Sequence, residues 1–349
     1  MTVSVPTQTA MRGAGVYNKN SQFQGRAVEP CLKFLPVTTS QTGSHVTIAD
    51  YGCSEGSNSL FFLQKLLPSL SFHKTATVVF NDTPWNDFNS LSSALYATTL
   101  MTANPEAPQV LPLMAPKSYY EQVLPEGSLD IGISTTSLNW LPCLQTVRQT
   151  PLDETQLSVA AMDDLTCFLR NRHVELRSGG MLLLCIPIKG EVNLDLTLQA
   201  LTKAIEEVAG PSAAAVYRFP FYTRQAEDVS TVFSKLARDW QIIEQFEQDI
   251  EQPAAEQMRL MVQSAGPTGC DQDKLIHYAK AVGDFIIAIA AASILNTIRT
   301  FGQTRTGKQE NMDDQILDDV AAVFWKHFLT VDLSKRTGLR FIYLKVKRI

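Results

Sequence analysis

The stretch TIADYGCSEGSNSLFFLQ, residues 47–64, sets a turn rich in glycine and serine between an apolar run and an amphipathic run. The apolar run suits a buried strand, and the amphipathic run has the apolar spacing of a helix. Gly52 and Gly56 would let the backbone approach a ligand closely, and the amides at a helix N-terminus favour an anionic group. The order of strand, turn and helix therefore predicts a nucleotide-type cofactor site, but GCSEG also has the G-x-S-x-G spacing of a serine hydrolase.

Strand-like and helix-like runs alternate through the first half of the chain. The strand-like runs are HVTIADYG, TATVVFND, SLDIGISTTSL and GGMLLLCIPI. The helix-like runs between them are SLFFLQKLLPSL, DFNSLSSALYATTL and LTCFLRNRHVELRS. This alternation predicts an α/β fold, a doubly wound and mostly parallel Rossmann-like sheet with helices on both faces.

The second half of the chain has a different pattern. DVSTVFSKLARDW predicts a helix, WQIIEQFEQD a strand, and two long helices follow in HYAKAVGDFIIAIAAASILNTIRTF and DDQILDDVAAVFWKHFL. The apolar run FIIAIAAASIL is shorter than the roughly 18 residues that span a bilayer, so we expect a buried helix. GQTRTGKQENMDD, residues 302–314, predicts a loop, and GLRFIYLKVKRI predicts a strand that returns to the sheet.

These patterns predict how the chain divides. The Rossmann-like core comprises residues 30–190, 211–265 and 331–349, and a helical cap comprises residues 191–210 and 266–330. A cap of this kind would cover the carboxyl ends of the strands, where ligands bind in open α/β sheets.

Composition excludes several classes of partner. The 349-residue chain has a net charge of −5 and a pI near 5.6, so it offers no basic field to nucleic acid or to an anionic membrane. Its six cysteines include no C-x-x-C pair, which argues against a zinc framework or a disulfide scaffold, and we expect no metal. The start MTVSVPTQTAMRGAG lacks the apolar segment of a signal peptide, which predicts a cytoplasmic protein.

Two acids at strand ends favour one cofactor over others. Asp50 ends the first strand and can face a cationic group, and Asp82 ends the next, where it can accept both hydroxyls of a ribose. S-adenosylmethionine carries a ribose, a zwitterionic amino acid and a sulfonium, whereas NAD would require the third glycine of G-x-G-x-x-G. A serine hydrolase stays a remote alternative, because Ser54 follows the first strand and the five histidines lie in no distinctive context.

Six motifs extend these observations: YNKNSQFQ, IADYGCSEGSNS, FNDTPWNDFNSL, KSYYEQVLPEGSLDIGISTTSLNWLP, FLRNRHVELRSGGMLLL and FPFYTRQAEDV. In their order and spacing the chain resembles the SABATH methyltransferases over nearly its whole length. That family is best known from plants and methylates carboxyl groups or, in some members, ring nitrogens. The resemblance implies transfer of a methyl group from S-adenosylmethionine to the carboxylate of a small organic acid. It also implies an N-terminal segment, residues 1–29, that closes the active site, and a possible homodimer.

The resemblance implies roles for individual residues. The cofactor would be held by Tyr17, Ser21, Asp50, Gly52, Cys53, Asn58, Asp82 and Thr83, with Ser118 and Tyr119 beside the adenine. Some of these residues also have plainer explanations. Asn58 could cap a helix, Tyr119 could be ordinary core, and Ser118 could end a loop. Asp82 is the hardest to explain without a ligand, because an acid that ends an apolar strand needs a polar partner.

The implied substrate ligands are Gln24 and Trp140, whose amide and indole N–H groups would each donate to a carboxylate oxygen. A carboxylate is already ionised at neutral pH, so the attacking oxygen needs no general base and catalysis would rest on alignment. Because the family includes N-methylating members, an N-methyltransferase remains an alternative, as does an inactive protein whose pocket Trp85 fills. The substrate pocket is predicted from Thr136, Asn139, Phe219, Phe221 and Phe285.

The pocket residues give conflicting indications about the acid. Thr136 and Asn139 are polar and could serve a hydroxylated acid or a second carboxyl group. The three phenylalanines favour benzoate-like or longer apolar acids. We therefore expect aromatic or small unsaturated mono-acids first and small di-acids close behind.

Overall fold

A computed structural model describes residues 11–37, 43–98, 100, 106–144, 152–266, 269–302 and 312–349 of the chain. Its sheet contains β1 (His45–Tyr51), β2 (Thr75–Asp82), β3 (Gln109–Pro116), β4 (Leu129–Thr135), β5 (Leu176–Ile188), β6 (Trp240–Glu251) and β7 (Gly338–Arg348). The strand order is β3-β2-β1-β4-β5-β7-β6. Strands β1 to β5 pair in parallel, and β7 runs antiparallel to both β5 and β6. The predicted α/β sheet and the return of the C-terminal tail as a strand are confirmed.

The α-helices of the described residues are α1 (Val16–Asn20), α2 (Gln22–Val28), α3 (Ser57–Leu66), α4 (Phe88–Tyr96), α5 (Glu154–Glu175), α6 (Asp195–Ala209), α7 (Pro211–Val216), α8 (Ala226–Lys235), α9 (Pro253–Ala265), α10 (Gln272–Phe301) and α11 (Met312–Phe328). Each helix that the sequence pattern predicts is present. Side-chain caps fix several starts: Asp87 accepts the amide of Ser90 at α4, and Asp153 forms a capping box with Gln156 at α5.

Alternation along the strands produces two apolar layers. In β1, Val46 and Ile48 belong to one buried cluster, whereas Ala49 and Tyr51 belong to another. Successive side chains of a strand point to opposite faces of the sheet, so the two clusters lie on its two faces. One layer includes residues of α3, α6, α10 and α11, and the other includes residues of α5 and α8.

Strand β3 has no counterpart among the predicted strands. It lies at the edge of the sheet beside β2, and its sequence QVLPLMAP contains two prolines. Leu111 and Leu113 are 43% and 55% exposed, so the strand lacks the apolar alternation of a half-buried strand. A proline is tolerated in a strand chiefly at a sheet edge, which is where Pro112 lies.

The long helix α10 organises the helical layer. It packs against α1, α6, α7, α9 and α11. By length and composition α10 could cross a membrane, but 67% of its most apolar window is buried inside the protein, as in the core helix of a folded domain. Helices α7 and α9 fall within the predicted core segment 211–265 and pack on α10, while the domain bounds themselves stay a prediction. Of the predicted loop 302–314, residues 303–311 lie outside the described residues.

Candidate active site

The site forms at the carboxyl edge of the sheet. β1 pairs with β2 on one side and with β4 on the other, so the segments that follow these three strands meet. They are the turn at residues 52–56, Asp82 with the loop after it, and the loop at residues 136–140. This is the edge at which open α/β sheets bind ligands.

The glycines of the turn are required by the protein itself. Gly52 and Gly56 have φ angles of 89° and 91°, which an L side chain rarely adopts. A Cβ at Gly52 would lie 2.3 Å from the Cβ of Ser137, and a Cβ at Gly56 would lie 2.2 Å from Cδ1 of Leu91. The sequence predicts these glycines for close approach of a ligand, and the structure adds packing against two neighbouring side chains.

Asp82 holds the turn from the next strand. Its Oδ2 accepts the amide of Ser54 at 2.7 Å, and its Oδ1 accepts the amide of Thr83 at 2.7 Å. Burial raises the pKa of Asp82, and these backbone hydrogen bonds act in the opposite direction. Neither Asp82 nor Asp50 pairs with a basic side chain among the described residues, although Asp50 is 3% exposed. A buried acid without a cationic partner, as Asp50 is, suits a ligand that carries an ammonium group.

Asp50 lies close to the middle of its titration at neutral pH. Burial raises the pKa of Asp50 to about 7, with the nearby charge of Asp82 adding to the shift and a hydrogen bond to Ser59 opposing it. A cation placed beside Asp50 would favour the ionised form and lower this pKa. Binding of such a cation is therefore coupled to loss of a proton.

The N-terminal segment is clasped to the turn by Glu55. This side chain is 1% exposed, and its Oε1 and Oε2 accept the amides of Gly15 and Asn18 at 2.8 and 2.9 Å. In return, the side-chain amide of Asn18 donates to the backbone oxygen of Glu55 at 3.0 Å. The sequence gives no role to Glu55, because its partners lie about 40 residues away in the chain. Residues 11–20 thereby lie against the cofactor turn.

The remaining predicted cofactor residues lie around the same turn. The side chain of Tyr17 on α1 forms a hydrogen bond with that of Asn58 on α3, and the charge of Asp82 lies close enough to raise the pKa of Tyr17. The Ser21 hydroxyl donates to the backbone oxygen of Asn18 at 3.3 Å, and the buried Cys53 thiol donates to the backbone oxygen of Ser54 at 3.6 Å. These side chains therefore lie together around the turn.

The loop after β3 carries the two predicted adenine neighbours. Its Lys117 amide donates to the backbone oxygen of Asp82 at 2.9 Å. The Ser118 hydroxyl accepts the amide of Tyr120 at 3.3 Å, and the buried Tyr119 donates to the backbone oxygen of Ser137 at 2.8 Å. Tyr119 thus belongs to the core and also borders the turn, since its ring would lie 3.6 Å from a Cβ at Gly52.

A narrow cavity, with about 40 Å³ available to a water-sized sphere, lies beside the turn, beneath the helical cap. Its lining includes Tyr17 and all seven predicted substrate residues. These seven are Gln24, Thr136, Asn139, Trp140, Phe219, Phe221 and Phe285. The sequence does not identify the other lining residues, which are Met11, Phe23, Pro187, Leu194, Ile289, Leu339 and Phe341. They come from five separate segments, so no local pattern links them. Within the described residues this lining contains no charged side chain.

The cavity has an aromatic wall and a polar end. Phe219 and Phe221 stack edge to face at 5.3 Å, and their rings lie 6.4 and 6.2 Å from that of Trp140. The indole N–H of Trp140 donates to no other group among the described residues, and Oε1 of the buried Gln24 has no partner there. Free hydrogen-bonding groups in a buried apolar cavity are satisfied by the polar group of a ligand or by water.

Two alternatives from the sequence lose their structural basis. Trp85 is 55% exposed and does not line the cavity, so the hypothesis that Trp85 fills the pocket is wrong. Ser54 has the positive φ of a nucleophile elbow, 48°, but its buried hydroxyl has no hydrogen-bond partner among the described residues. A serine nucleophile needs a histidine as the hydrogen-bond partner of its hydroxyl. In the same residues no group of three or more metal-ligating side chains lies together.

Comparison with known proteins decides the family. A family model described as SAM-dependent carboxyl methyltransferase matches residues 7–296. The chain belongs to the S-adenosylmethionine-dependent carboxyl methyltransferases. This confirms the resemblance to the SABATH family, the predicted cofactor and the reaction class, and it rules out the serine hydrolase.

Relatives of this carboxyl methyltransferase occur in fungi and plants. The chain is 27% identical over 357 residues to "Methyltransferase FUS9" of Gibberella fujikuroi, covering 97% of each protein. It is 31% identical over 219 residues to "Indole-3-acetate O-methyltransferase 1" of Oryza sativa subsp. japonica, covering 50% of this chain and 54% of that protein. A solved structure, "Loganic acid methyltransferase with SAH", shares the fold with a TM-score of 0.66 at 18% identity, over 97% of this chain and 98% of that one.

Cofactor affinity is expected to depend on pH through Asp50. The free protein has a pKa of about 7 there, and a bound ammonium requires the ionised carboxylate. Affinity for S-adenosylhomocysteine should therefore rise about tenfold from pH 6 to pH 8, with release of a proton. Calorimetry in buffers of different ionisation enthalpy measures both quantities. The Asp50→Asn variant should bind weakly and with no such slope, and a wild-type affinity that falls as pH rises would contradict the assignment.

Proposed function

We propose that this carboxyl methyltransferase esterifies an apolar mono-acid whose carboxylate is held between Gln24 and Trp140. The observation that carries the proposal is the cavity itself, in which the Trp140 indole N–H and the Gln24 side-chain amide have no partners among the described residues and face aromatic walls. The Gln24 N–H groups point to the acid once the two ends of its amide are exchanged. Two neutral donors can fix a carboxylate by hydrogen bonds without neutralising its charge.

The cofactor groups fit the turn at residues 52–56 in this proposal. Asp82 would accept the ribose hydroxyls, Asp50 would face the ammonium group, and Tyr119 would border the adenine. The burial of Asp50, and the lack of a basic partner for either acid among the described residues, support this arrangement. When bound, S-adenosylmethionine would supply an electrophilic methyl group on its sulfonium. The acid's oxygen would form the O–CH3 bond as the S–CH3 bond breaks, leaving the methyl ester and S-adenosylhomocysteine.

The residues of the pocket act by alignment and by excluding water. An acid with a pKa near 4 is ionised at neutral pH, so no side chain has to remove a proton. Gln24 and Trp140 would fix the two carboxylate oxygens, and Thr136 and Asn139 would border the same end of the cavity. Because opposite charges are consumed as the ester forms, an apolar enclosure favours the reaction over the separated ions. Phe23 and Phe285, packed edge to face at 5.4 Å, supply part of that enclosure.

The lining of the cavity supports a stronger preference for mono-acids over di-acids than the sequence does. A second carboxylate would enter a cavity with no cationic side chain among the described residues. Burying it unpaired costs several kcal/mol. We therefore expect the enzyme to methylate mono-acids at least about 100-fold faster, in kcat/KM, than matched di-acids.

Paired substrates test this ranking with labelled S-adenosylmethionine. Monomethyl fumarate against fumarate, and benzoate against terephthalate, differ in the second charge while the acid group is kept. Equal or faster esterification of the di-acids would refute the proposal that the substrate is an apolar mono-acid. If none of a broad panel of carboxylic acids accepted the label, the carboxyl methyltransfer itself would be refuted for this chain.

The assembly and cellular location stay proposals. The resemblance supports a homodimer, and light scattering of the purified protein would give its mass.

A further inference from the structure

The loop that carries the carboxylate ligand Trp140 is held at four successive carbonyl groups. The Tyr119 hydroxyl donates to the oxygen of Ser137 at 2.8 Å, and the Tyr222 amide donates to the oxygen of Asn139 at 2.9 Å. The Tyr120 hydroxyl lies 3.4 Å from the oxygen of Trp140. The fourth oxygen, that of Leu138, accepts a hydrogen bond from Nη1 of Arg224 at 2.5 Å.

Arg224 is the unusual member of this group because it is a fully buried cation. It forms no ion pair with an acid among the described residues. Its guanidinium instead donates to backbone oxygens, to Leu138 in the loop and through Nε and Nη2 to Ala161 on α5, at 3.3 and 3.2 Å. Removing a guanidinium from water is costly, and these carbonyl groups, together with the nearby carboxylate of Asp164, compensate for it.

The same residue connects the loop to the apolar wall of the pocket. Arg224 follows Phe219 and Phe221 in one segment, and its own backbone oxygen accepts the amide of Lys189, just beyond β5, at 2.8 Å. Thr136 at the start of the loop has a φ of 55°, a left-handed conformation that costs a threonine free energy. A strained loop keeps one shape only where its surroundings fix it, and the planar fork of an arginine suits that task.

We propose that Arg224 is a positioning residue that fixes Trp140 and Asn139 for carboxylate binding by bridging Leu138 to Ala161. This inference rests on the proposed role of Trp140. It differs from a general structural role because it predicts damage to acid binding and turnover while the cofactor turn stays intact. The six motifs carry no role for Arg224, since its buried contacts are set by residues 63 and 86 positions away.

The test compares Arg224→Met with Arg224→Lys in the full-length protein. Hydrogen exchange is measured with saturating S-adenosylhomocysteine, and kcat/KM is measured separately with S-adenosylmethionine. Hydrogen exchange of the amides at residues 136–141 should be at least tenfold faster in Arg224→Met, and kcat/KM for benzoate should be about 10- to 100-fold lower. Arg224→Lys keeps the charge but not the fork, so it should fall between this variant and the wild type. Affinity for S-adenosylhomocysteine should stay within about threefold.

Arg177→Met is the matched control. Arg177 also donates to a backbone oxygen, that of Gly127 at 3.0 Å, and pairs with Asp130, but it lies at the amino end of β5. This variant should lose stability without changing loop exchange or kcat/KM by more than twofold. If Arg224→Met does not fold, Arg224→Lys and Tyr120→Phe carry the test, each with at least a threefold loss in kcat/KM.

Two results would overturn the positioning role. One is loop exchange and kcat/KM within twofold of wild type in Arg224→Lys and Tyr120→Phe. The other is an equal fall in cofactor affinity and in kcat/KM, which would mean general unfolding. A Trp140→Phe variant run in parallel separates the two proposals. If it keeps wild-type kcat/KM, the carboxylate anchor fails, while loop exchange still reports whether Arg224 fixes the loop.

Discussion

Replacing Asp82 by asparagine is expected to weaken binding of S-adenosylhomocysteine about 100-fold. Asparagine keeps the volume but loses the charge and one acceptor oxygen, and Asp82 uses both oxygens to hold the amides of Ser54 and Thr83. Each charge-assisted hydrogen bond is worth about 1.5–3 kcal/mol. The variant loses one such bond at the turn, which lowers stability with or without ligand, and one to the ribose, whose loss of up to about 3 kcal/mol gives the fall in affinity. Titration calorimetry at pH 8 measures the affinity directly.

Asp130→Asn provides the control for this experiment. Asp130 is buried, and like Asp82 it accepts a backbone amide, that of Thr47 at 2.8 Å, but it lies at the amino end of β4. Its substitution should lower stability and leave cofactor affinity within about twofold. If the Asp82→Asn variant binds S-adenosylhomocysteine as tightly as the wild type does, the cofactor does not bind at this turn.

Removing either proposed carboxylate ligand is expected to lower kcat/KM for the acid about 10- to 100-fold. Trp140→Phe keeps an aromatic ring against Phe219 and Phe221 but removes the indole N–H, and Gln24→Leu removes the amide. A lost hydrogen bond to a charged group costs about 1.5–3 kcal/mol. The double variant should lose less than the product of the two factors, because both donors hold the same carboxylate.

Trp240→Phe is the matched control for the loss of an indole N–H. Trp240 is buried on β6 against His173, and its N–H also lacks a partner among the described residues. Its kcat/KM should match the wild type, and cofactor affinity should be unchanged in all these variants. If Trp140→Phe and Gln24→Leu each stayed within twofold of wild type, the carboxylate anchor would have to be abandoned.

The parts of the fold that follow from the sequence are those with local signals. The turn between β1 and α3 is marked by its glycines, and Asp82 is marked as an acid that ends an apolar strand. The alternation in GLRFIYLKVKRI predicts β7, although its neighbours in the sheet lie far away in the chain. In each case the periodicity of one short segment carries the information.

The parts that do not follow depend on contacts between distant segments. β3 has no apolar alternation because it is an edge strand with two prolines. Glu55 and Arg224 look like ordinary charged residues until the fold brings Gly15 and Leu138 to them. Trp85 shows the converse error, since its place in a motif suggested a pocket that its exposed side chain does not enter.

The most direct test of the account is the crystal structure of the ternary complex with S-adenosylhomocysteine and the mono-acid that the enzyme esterifies fastest. In this complex we expect the carboxylate of the acid to have one oxygen about 3 Å from the Gln24 amide nitrogen and the other about 3 Å from the Trp140 indole nitrogen. The hydrocarbon part of the acid should lie against Phe219, Phe221 and Phe285. A carboxylate bound elsewhere, with Gln24 and Trp140 still unpaired, would contradict it.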